Sequence, residues 1–397
     1  MKRGSVVIVM LAQCLLLCGC WSSSPIEDLN MEVGVALDSA DETGTEAEFE
    51  REGGSYPKSN KISCTYQFVI PQPASSAKTS SLQSKNFNNM TETGDSIFEA
   101  MRELSLRTNR PPSGNHLKII VIGEKLARST KLTELIDFFS RDNDIRPSVM
   151  LLVSKGEARD VLKDALPGQV PSFVIKGIFN NRDRNMRIWE PVSIAKAAGP
   201  LHGKTSFMVQ NVVAAGKEPK FAGAGIIDGK TGKLSGFLDE SELEGAVWLT
   251  GKGKGGVLKT YDPDNGRLIT YEVKSASSTI KAKVEGEQIS FHVKIESRGR
   301  FAETFSASQV KLDEAYVKKD EIALQKQLIQ IVKATVEKMQ HELHADVGGF
   351  GTSLHIQHPA VWQKVKEDWD QTFSTLPVTY EVILNIEEYG ASGTAAE

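Results

Sequence analysis

The chain has 397 residues, enough for about two to three domains that each bury a core. Its 25% charged and 40% hydrophobic residues are those of an ordinary soluble protein. A formal net charge of −4 and the lack of any basic run argue against a broad nucleic-acid track.

Lys2 and Arg3 open the chain, residues 6–17 are apolar apart from Gln13, and Gly19 precedes Cys20. A basic start, a short apolar core and a small residue at the cut site predict an export signal over 1–19, too short for a stable span. Its ending, Leu17-Cys18-Gly19-Cys20, resembles the bacterial lipobox, whose cysteine takes a diacylglyceryl group and becomes the first mature residue. Cys20 is therefore the one candidate site residue, a lipidation site. Two acyl chains hold a protein stably at a membrane where one holds it marginally. Losing Lys2 and Arg3 takes the charge to −4 − 2 = −6. Cys14 and Cys18 leave with the signal, so Cys64 has no partner and reads as core packing.

Met31, Val33, Val35 and Leu37 recur with the period of a strand. Residues 39–60 are acidic, Gly-rich and aperiodic, and predict a long loop. A strand over 62–70 ends at Pro71 and Pro73, and the polar stretch to about Asn89 predicts a loop or edge segment. Thr93 is the expected N-cap of a helix through Leu106, with Ile97, Met101 and Leu104 on one face. Residues 116–123 predict a strand buried on both faces, followed by a helix over 132–139, a strand over 149–154 and a helix over 157–166. Alternating strands and helices imply an α/β-type sheet covered by helices. Residues 167–189 are poorly periodic, and 191–198 predict a short helix before Gly199-Pro200, where the domain boundary is expected.

The second half reads as a meander with helices added late. Strands are predicted over 206–215, 219–227 and 233–238, then a helix over 240–249. A hairpin follows, 256–261 with 267–274, around the Asn265-Gly266 turn, and two more strands, 278–284 and 289–297. The longest helix is expected over 312–344, with Leu324, Leu328, Val332 or Ile331, Met339 and Leu343 as its apolar stripe. A helix after Pro359 carries Trp362, Val365 and Trp369, and a strand over 378–386 closes the chain. The fold class is α+β and multi-domain: mixed sheets flanked by helices, the long C-terminal helix on a sheet. The expected units are a signal over 1–19, an N-terminal α/β-type domain over 20–199, a C-terminal α+β domain over 200–390, whole or as lobes near 200–300 and 301–390, and a tail, 391–397.

Searching for chemistry yields little. Residues 198–205 match the phosphate-loop spacing, but that loop must leave a strand and open a helix, and here helix-like sequence precedes and strand-like sequence follows. His341 and His344 lack the spacing of a zinc-protease pair; with His355 and His358 nearby they remain a weak metal candidate, against a polar helix end. Residues 251–256 read as a basic, solvated loop, with a lipid headgroup contact as the minor alternative. Gly223-Ala224-Gly225 reads as strand packing. No nucleophile–base pair or paired-carboxylate constellation stands out, so neither an enzyme nor a cofactor is expected.

The whole chain resembles the Ger(x)C lipoproteins, the C subunits of nutrient germinant receptors in spores of endospore-forming bacteria. The resemblance is carried by Gly19-Cys20-Trp21, Val33-Gly34-Val35-Ala36-Leu37-Asp38, His116 through Arg128, Asp137 through Asp142, Ile145-Arg146 and Val153 through Ala158. It continues at Leu234 through Leu238, Glu242, Gly245, Trp248 through Lys252, Ala345-Asp346-Val347, Gly349-Phe350-Gly351, Trp362, Lys366, Trp369 and Leu376-Pro377-Val378. It departs at Ser22-Ser23-Ser24-Pro25, where a charged pair is more usual, at Gly348, where an apolar residue is expected, and in the expanded 39–60 segment.

The resemblance implies a non-enzymatic lipoprotein, held by diacylglyceryl Cys20 in the membrane lipid on the outer face of the spore inner membrane. Its implied partners are the integral-membrane A and B subunits, with no nucleic acid and no cofactor. The alternative is a lipid-anchored solute-binding protein that captures a nutrient directly, although the two halves differ in strand pattern. Residues 39–60 and the Gly348–Gly351 turn are the exposed contact candidates, each weighed against a structural role.

Overall fold

A computed structural model describes residues 28–40, 43–59, 61–70, 85–304 and 314–388. The first stretch holds β1 (Asn30–Ser39), α1 (Gly44–Arg51), β2 (Ile62–Val69), β3 (Phe87–Gly94), α2 (Ile97–Leu104) and β4 (Pro112–Ser113). Then come β5 (Ile119–Gly123), α3 (Glu124–Ser129), α4 (Leu132–Arg141), β6 (Met150–Ser154), α5 (Ala158–Lys163), α6 (Pro171–Ile178), β7 (Val192–Ser193) and α7 (Ile194–His202). The middle is β8 (Phe207–Ala215), β9 (Glu218–Ile227), β10 (Leu234–Leu238), α8 (Glu240–Thr250), β11 (Gly256–Tyr261), β12 (Leu268–Glu285) and β13 (Gln288–Thr304). The chain closes with α9 (Glu314–His341), α10 (Phe350–Gln357), α11 (Pro359–Val365), α12 (Trp369–Phe373) and β14 (Val378–Glu388).

This is the expected α+β architecture, with two mixed sheets and the long C-terminal helix laid on the second. The first sheet runs β10-β9-β8-β6-β5-β1-β2-β3, with β4 on β1 and β7 on β6. Its centre, β1, β5 and β6, is parallel, which requires cover on both faces. Hence Ala36 is as fully buried as Val35 and Leu37. Gly34 is required by the cover itself, because a Cβ there would lie 2.0 Å from Ser172 Oγ of α6. The boundary expected at 199/200 falls inside α7, and the sheet continues beyond it. There β8 joins β6 through a single parallel bridge, Val153 with Asn211. The Asn211 side chain holds this seam, accepting from the Lys155 amide at 3.0 Å and donating to Ala222 O at 2.7 Å.

Several local expectations are corrected. Residues 39–60 are not a plain loop: α1 forms behind a Thr43–Glu46 capping box and packs on the sheet edge. The Glu46 carboxylate also accepts from Thr93 N and Oγ1, both at 2.7 Å. Burial pushes the Glu46 carboxyl up, but these bonds and those from Thr43 outweigh it and hold the group at about 2. Lys58 and Tyr56 tie the following segment to the same place, at 3.0 Å to Thr93 Oγ1 and 2.7 Å to Thr93 O. Thr93 is thus a strand residue of β3, and the cap of α2 is Ser96, which accepts from Glu99 N. Aperiodic 167–189 contains α6, opened by Pro171 at its first turn, where the missing N–H costs nothing. The helix expected to stop before Gly199 instead runs through Pro200 to His202. The predicted strands 267–274 and 278–284 are one 18-residue strand, β12, whose polar middle stays paired across a register shift between Val273 and Ser275.

The second sheet is ordered β11-β12-β13-β14, with β14 parallel to β13. Helix α9 lays Leu324, Leu328, Val332, Val336 and Met339 into the core; Val332, not Ile331, is the fully buried member of that turn. Helix α8 approaches α9 so closely at Gly245 that a Cβ would lie 2.1 Å from Thr335 Oγ1. The 262–266 turn is fastened to α9 by Arg267, whose guanidinium donates to both Asp320 oxygens at 2.7 and 2.9 Å in a buried site. Asp320→Ala leaves that buried cation with the more distant Asp262 carboxylate at 3.7 Å, a loss of up to about 3–5 kcal/mol. A drop in thermal midpoint no larger than that of an exposed Asp→Ala control is the contrary result.

Glu32 on β1 is fully buried, and neither carboxylate oxygen has a hydrogen-bond partner among the described residues. Burial, with the nearby Asp142 charge, pushes its carboxyl up from 4.5 to about 8. The folded state therefore keeps a proton that the unfolded chain releases above 4.5, so this group's contribution to stability falls as pH rises from 4.5 through 8. Glu32→Gln should raise the melting temperature at pH 8 and leave it nearly unchanged at pH 4.5. Equal shifts at both pH values would refute the assignment.

Candidate functional site

Cys20 and the expected signal over 1–19 lie outside the described residues. Among the described residues no helix is long and apolar enough to cross a membrane, and no group of three or more His, Cys, Asp or Glu side chains could hold a metal. His341 ends α9, His344 takes a left-handed conformation with φ 46°, and His358 sits 3.3 Å from Ala282 O; they belong to no metal-holding group among the described residues. His355 instead stacks on Trp362, with ring centres 5.6 Å apart.

Two carboxylates organise the chain's ends. Asp38, at the C-terminal end of β1, accepts from the Ala158 and Arg159 amides at 2.6 and 2.9 Å and so starts α5. Burial pushes its carboxyl up to about 6 against those two bonds. Gly123 leaves the necessary room, since a Cβ there would lie 2.1 Å from Asp38 Oδ1.

Asp346 does more. One oxygen accepts from the amides of Gly348, Gly349 and Phe350 at 3.1, 2.9 and 3.2 Å. The other accepts from the Gly351 amide at 2.6 Å and from Trp369 Nε1 at 2.8 Å. These five N–H groups start α10 and tie it to α12. Gly351 is forced by the indole, which a Cβ would approach to 2.6 Å, and Gly348 by Leu249 Cδ2 at 2.7 Å. The Gly348–Gly351 turn is therefore largely buried and is not an exposed contact loop.

Beside this turn a cleft of about 410 Å³ opens between the α7–β8 connection and the C-terminal helices. Its C-terminal wall is Asp346, Gly349, His355, Trp362, Lys366 and Trp369; the opposite wall includes Lys196, Lys204, Ser206 and Trp189, with Lys230 and Lys252 at the rim. Ser206 Oγ bridges the walls, accepting from Gly229 N at 3.0 Å and donating to Asp370 at 3.2 Å. Burial holds the Asp370 carboxyl above its ordinary range. The phosphate-loop look-alike, 198–205, is the end of α7 and the turn into β8, so helix precedes strand and no helix N-terminus is offered. Its Lys204 and Thr205 nevertheless line the cleft. Residues 251–256 are not a solvated loop throughout: Gly253 and Gly256 pack on Met186, and Gly255 on the Asp183 backbone, while Lys252 and Lys254 stay outside and pair with Glu190 and Asp183. The strand packing expected of Gly223 and Gly225 is present, against Leu238 O and Val153.

A family model described as "Spore germination protein N-terminal domain" matches residues 22–210, and one described as "Spore germination B3/ GerAC like, C-terminal" matches 222–390. The chain belongs to the GerAC-like spore germination family. Spore germination protein YndF of Bacillus subtilis (strain 168) is 39% identical over 98% of this chain and 97% of its own length. Spore germination protein B3 of the same strain is 31% identical over 99% of this chain and 100% of its own. A solved structure titled "Crystal Structure of the GerBC protein" superposes with a TM-score of 0.61 at 27% identity, covering 89% of this chain and 97% of that one. In this GerAC-like chain Asp38 and Asp346, both among the residues on which the resemblance rested, have visible structural tasks.

The cleft lysines were not legible as a group, because they lie on separate elements. The available signals were Trp362, Lys366 and Trp369 in the resemblance and Lys204 in the rejected loop motif.

Asp346→Ala removes the acceptor of five N–H groups, and buried donors without acceptors cost about 1–3 kcal/mol each. The expected outcome is a lower melting temperature and rapid proteolysis within 345–376, with Asp346→Asn in between. Cleavage at the wild-type rate would show that the helices are held by other means.

Proposed function

We propose that this chain is the C subunit of a nutrient germinant receptor, anchored by diacylglyceryl Cys20 to the outer face of the spore inner membrane. It acts there without catalysis, beside integral-membrane A and B subunits, to trigger germination. The observation that carries the proposal is the match of both family models, in order, across nearly the whole chain. The lipobox-like Leu17-Cys18-Gly19-Cys20 supports the anchor. A two-chain tether keeps the folded body at the bilayer, where its partners stand. The strongest carboxylates found, Asp38 and Asp346, are engaged by backbone and indole N–H groups, which suits structural tasks better than proton transfer.

Replacing Cys20 by Ala tests the anchor and the role together. Spores carrying only Cys20→Ala should show the protein lost from the membrane fraction and the response through this one receptor reduced or absent. Normal germination with the protein displaced from membranes would overturn the role. Retention of the variant at the membrane would overturn the anchor.

A further inference from the structure

We propose that the cleft between the α7–β8 connection and the C-terminal helices is a binding site for a small organic anion, a carboxylate or phosphate carried on a flat ring. The inference goes beyond the receptor role and does not depend on the anchor.

Its basis is an imbalance of charge. Five lysines, Lys196, Lys204, Lys230, Lys252 and Lys366, line the space together with three carboxylates, Glu190, Asp346 and Asp370. Every carboxylate is already engaged: Glu190 by Lys252, Asp346 by its five N–H groups, and Asp370 by the Asp346 amide and Ser206. Lys230 meets Asp368 at 3.2 Å, an exposed pair of little energetic weight. Lys196 donates to Pro191 O at 3.2 Å and its charge also acts on Glu190, whereas Lys204 and Lys366 form no ion pair among the described residues. Two ammonium groups, those of Lys204 and Lys366, thus border the cleft with no ion pair among the described residues, and five lysines stand against three carboxylates. Walls of low dielectric concentrate such a field on whatever enters.

The apolar lining selects among anions. Trp362 is half-buried and lies edge-on to Trp369, centres 5.3 Å apart, with His355 stacked beside it. Indole surface at a cleft wall favours a flat, unsaturated ring over a bare inorganic ion. About 410 Å³ is the size of a small-molecule pocket, and a junction between packed bodies is a common place for one.

A second observation concerns Lys204 itself. Its φ is 51°, a left-handed conformation that costs a lysine about 1 kcal/mol or more. The Thr205 amide bonds back to Pro200 O at 2.9 Å and Gly229 is pressed on the Lys204 carbonyl, where a Cβ would lie 2.4 Å away. The backbone is over-determined around a lysine that lines the cleft, which fixes where its ammonium originates.

The full chain in a neutral detergent at low salt, titrated calorimetrically with phenyl phosphate, benzoate, inorganic phosphate and phenol, tests this. The expected result is that phenyl phosphate or benzoate binds at least about tenfold more tightly than both inorganic phosphate and phenol. Whichever of the two binds better identifies the anionic group. Lys204→Gln and Lys366→Gln, both at exposed positions, should each weaken binding, and together by at least about tenfold. Trp362→Ala should erase the advantage of phenyl phosphate over inorganic phosphate. Lys318→Ala, far along α9 and paired with Glu321, is the control and should change nothing. No binding up to about 10 mM, or binding that the double variant leaves intact, overturns the proposal. Its failure leaves the receptor role standing, which the Cys20→Ala spores test separately.

Discussion

The C-terminal third of this protein depends on one carboxylate. A chain that leaves α9 must reverse, start α10 at once and bring two tryptophans back to the sheet. Asp346 accomplishes this by taking N–H groups from four consecutive residues and from the Trp369 indole. Two glycines follow directly, because neither Gly348 nor Gly351 has room for a Cβ. The aromatic cluster of Phe291, Phe350, Trp369 and Phe373 then packs against β13. The same turn forms one wall of the lysine-lined cleft, so fold and candidate site share a keystone.

Asp38 repeats the device in the first sheet. There a buried side chain starts a helix on a neighbouring connection and needs a glycine, Gly123, for clearance. In both places an acid and a glycine form one unit, across 85 residues for Asp38 and Gly123 and within one turn for Asp346.

The elements with strong periodicity were legible in advance. The stripe on α9, the buried β5 and the Asn265-Gly266 hairpin follow from spacing and turn chemistry alone. What escaped was decided by tertiary partners. Helix α1 lies in an acidic, Gly-rich stretch and is held by Thr93 and Lys58 as much as by its own cap. Helix α10 looks like a glycine turn until Asp346 is placed beside it. The polar middle of β12 resembles a break because its cross-strand partners on β13 are not visible locally. The cleft was the least legible feature, since its lysines come from α7, the following turn, the β9–β10 connection, the α8–β11 connection and α11's end. Cys20, by contrast, rests on local sequence alone.

The last strand carries one more consequence, for the order in which the protein is made. β14 is parallel to β13, buries Leu384 against the core, and its Ile386 amide reaches Glu321 of α9 at 2.9 Å. Gln340 of α9 likewise donates to the carbonyls of Phe373 and Leu376, just ahead of that strand. The first sheet has all its strands once residue 238 has been synthesised. The second lacks one edge until residues 378–388 have emerged, so the part of α9 that packs on β14, unlike the part on α8, is covered late. The N-terminal sheet can therefore assemble ahead of the C-terminal one as the chain is made.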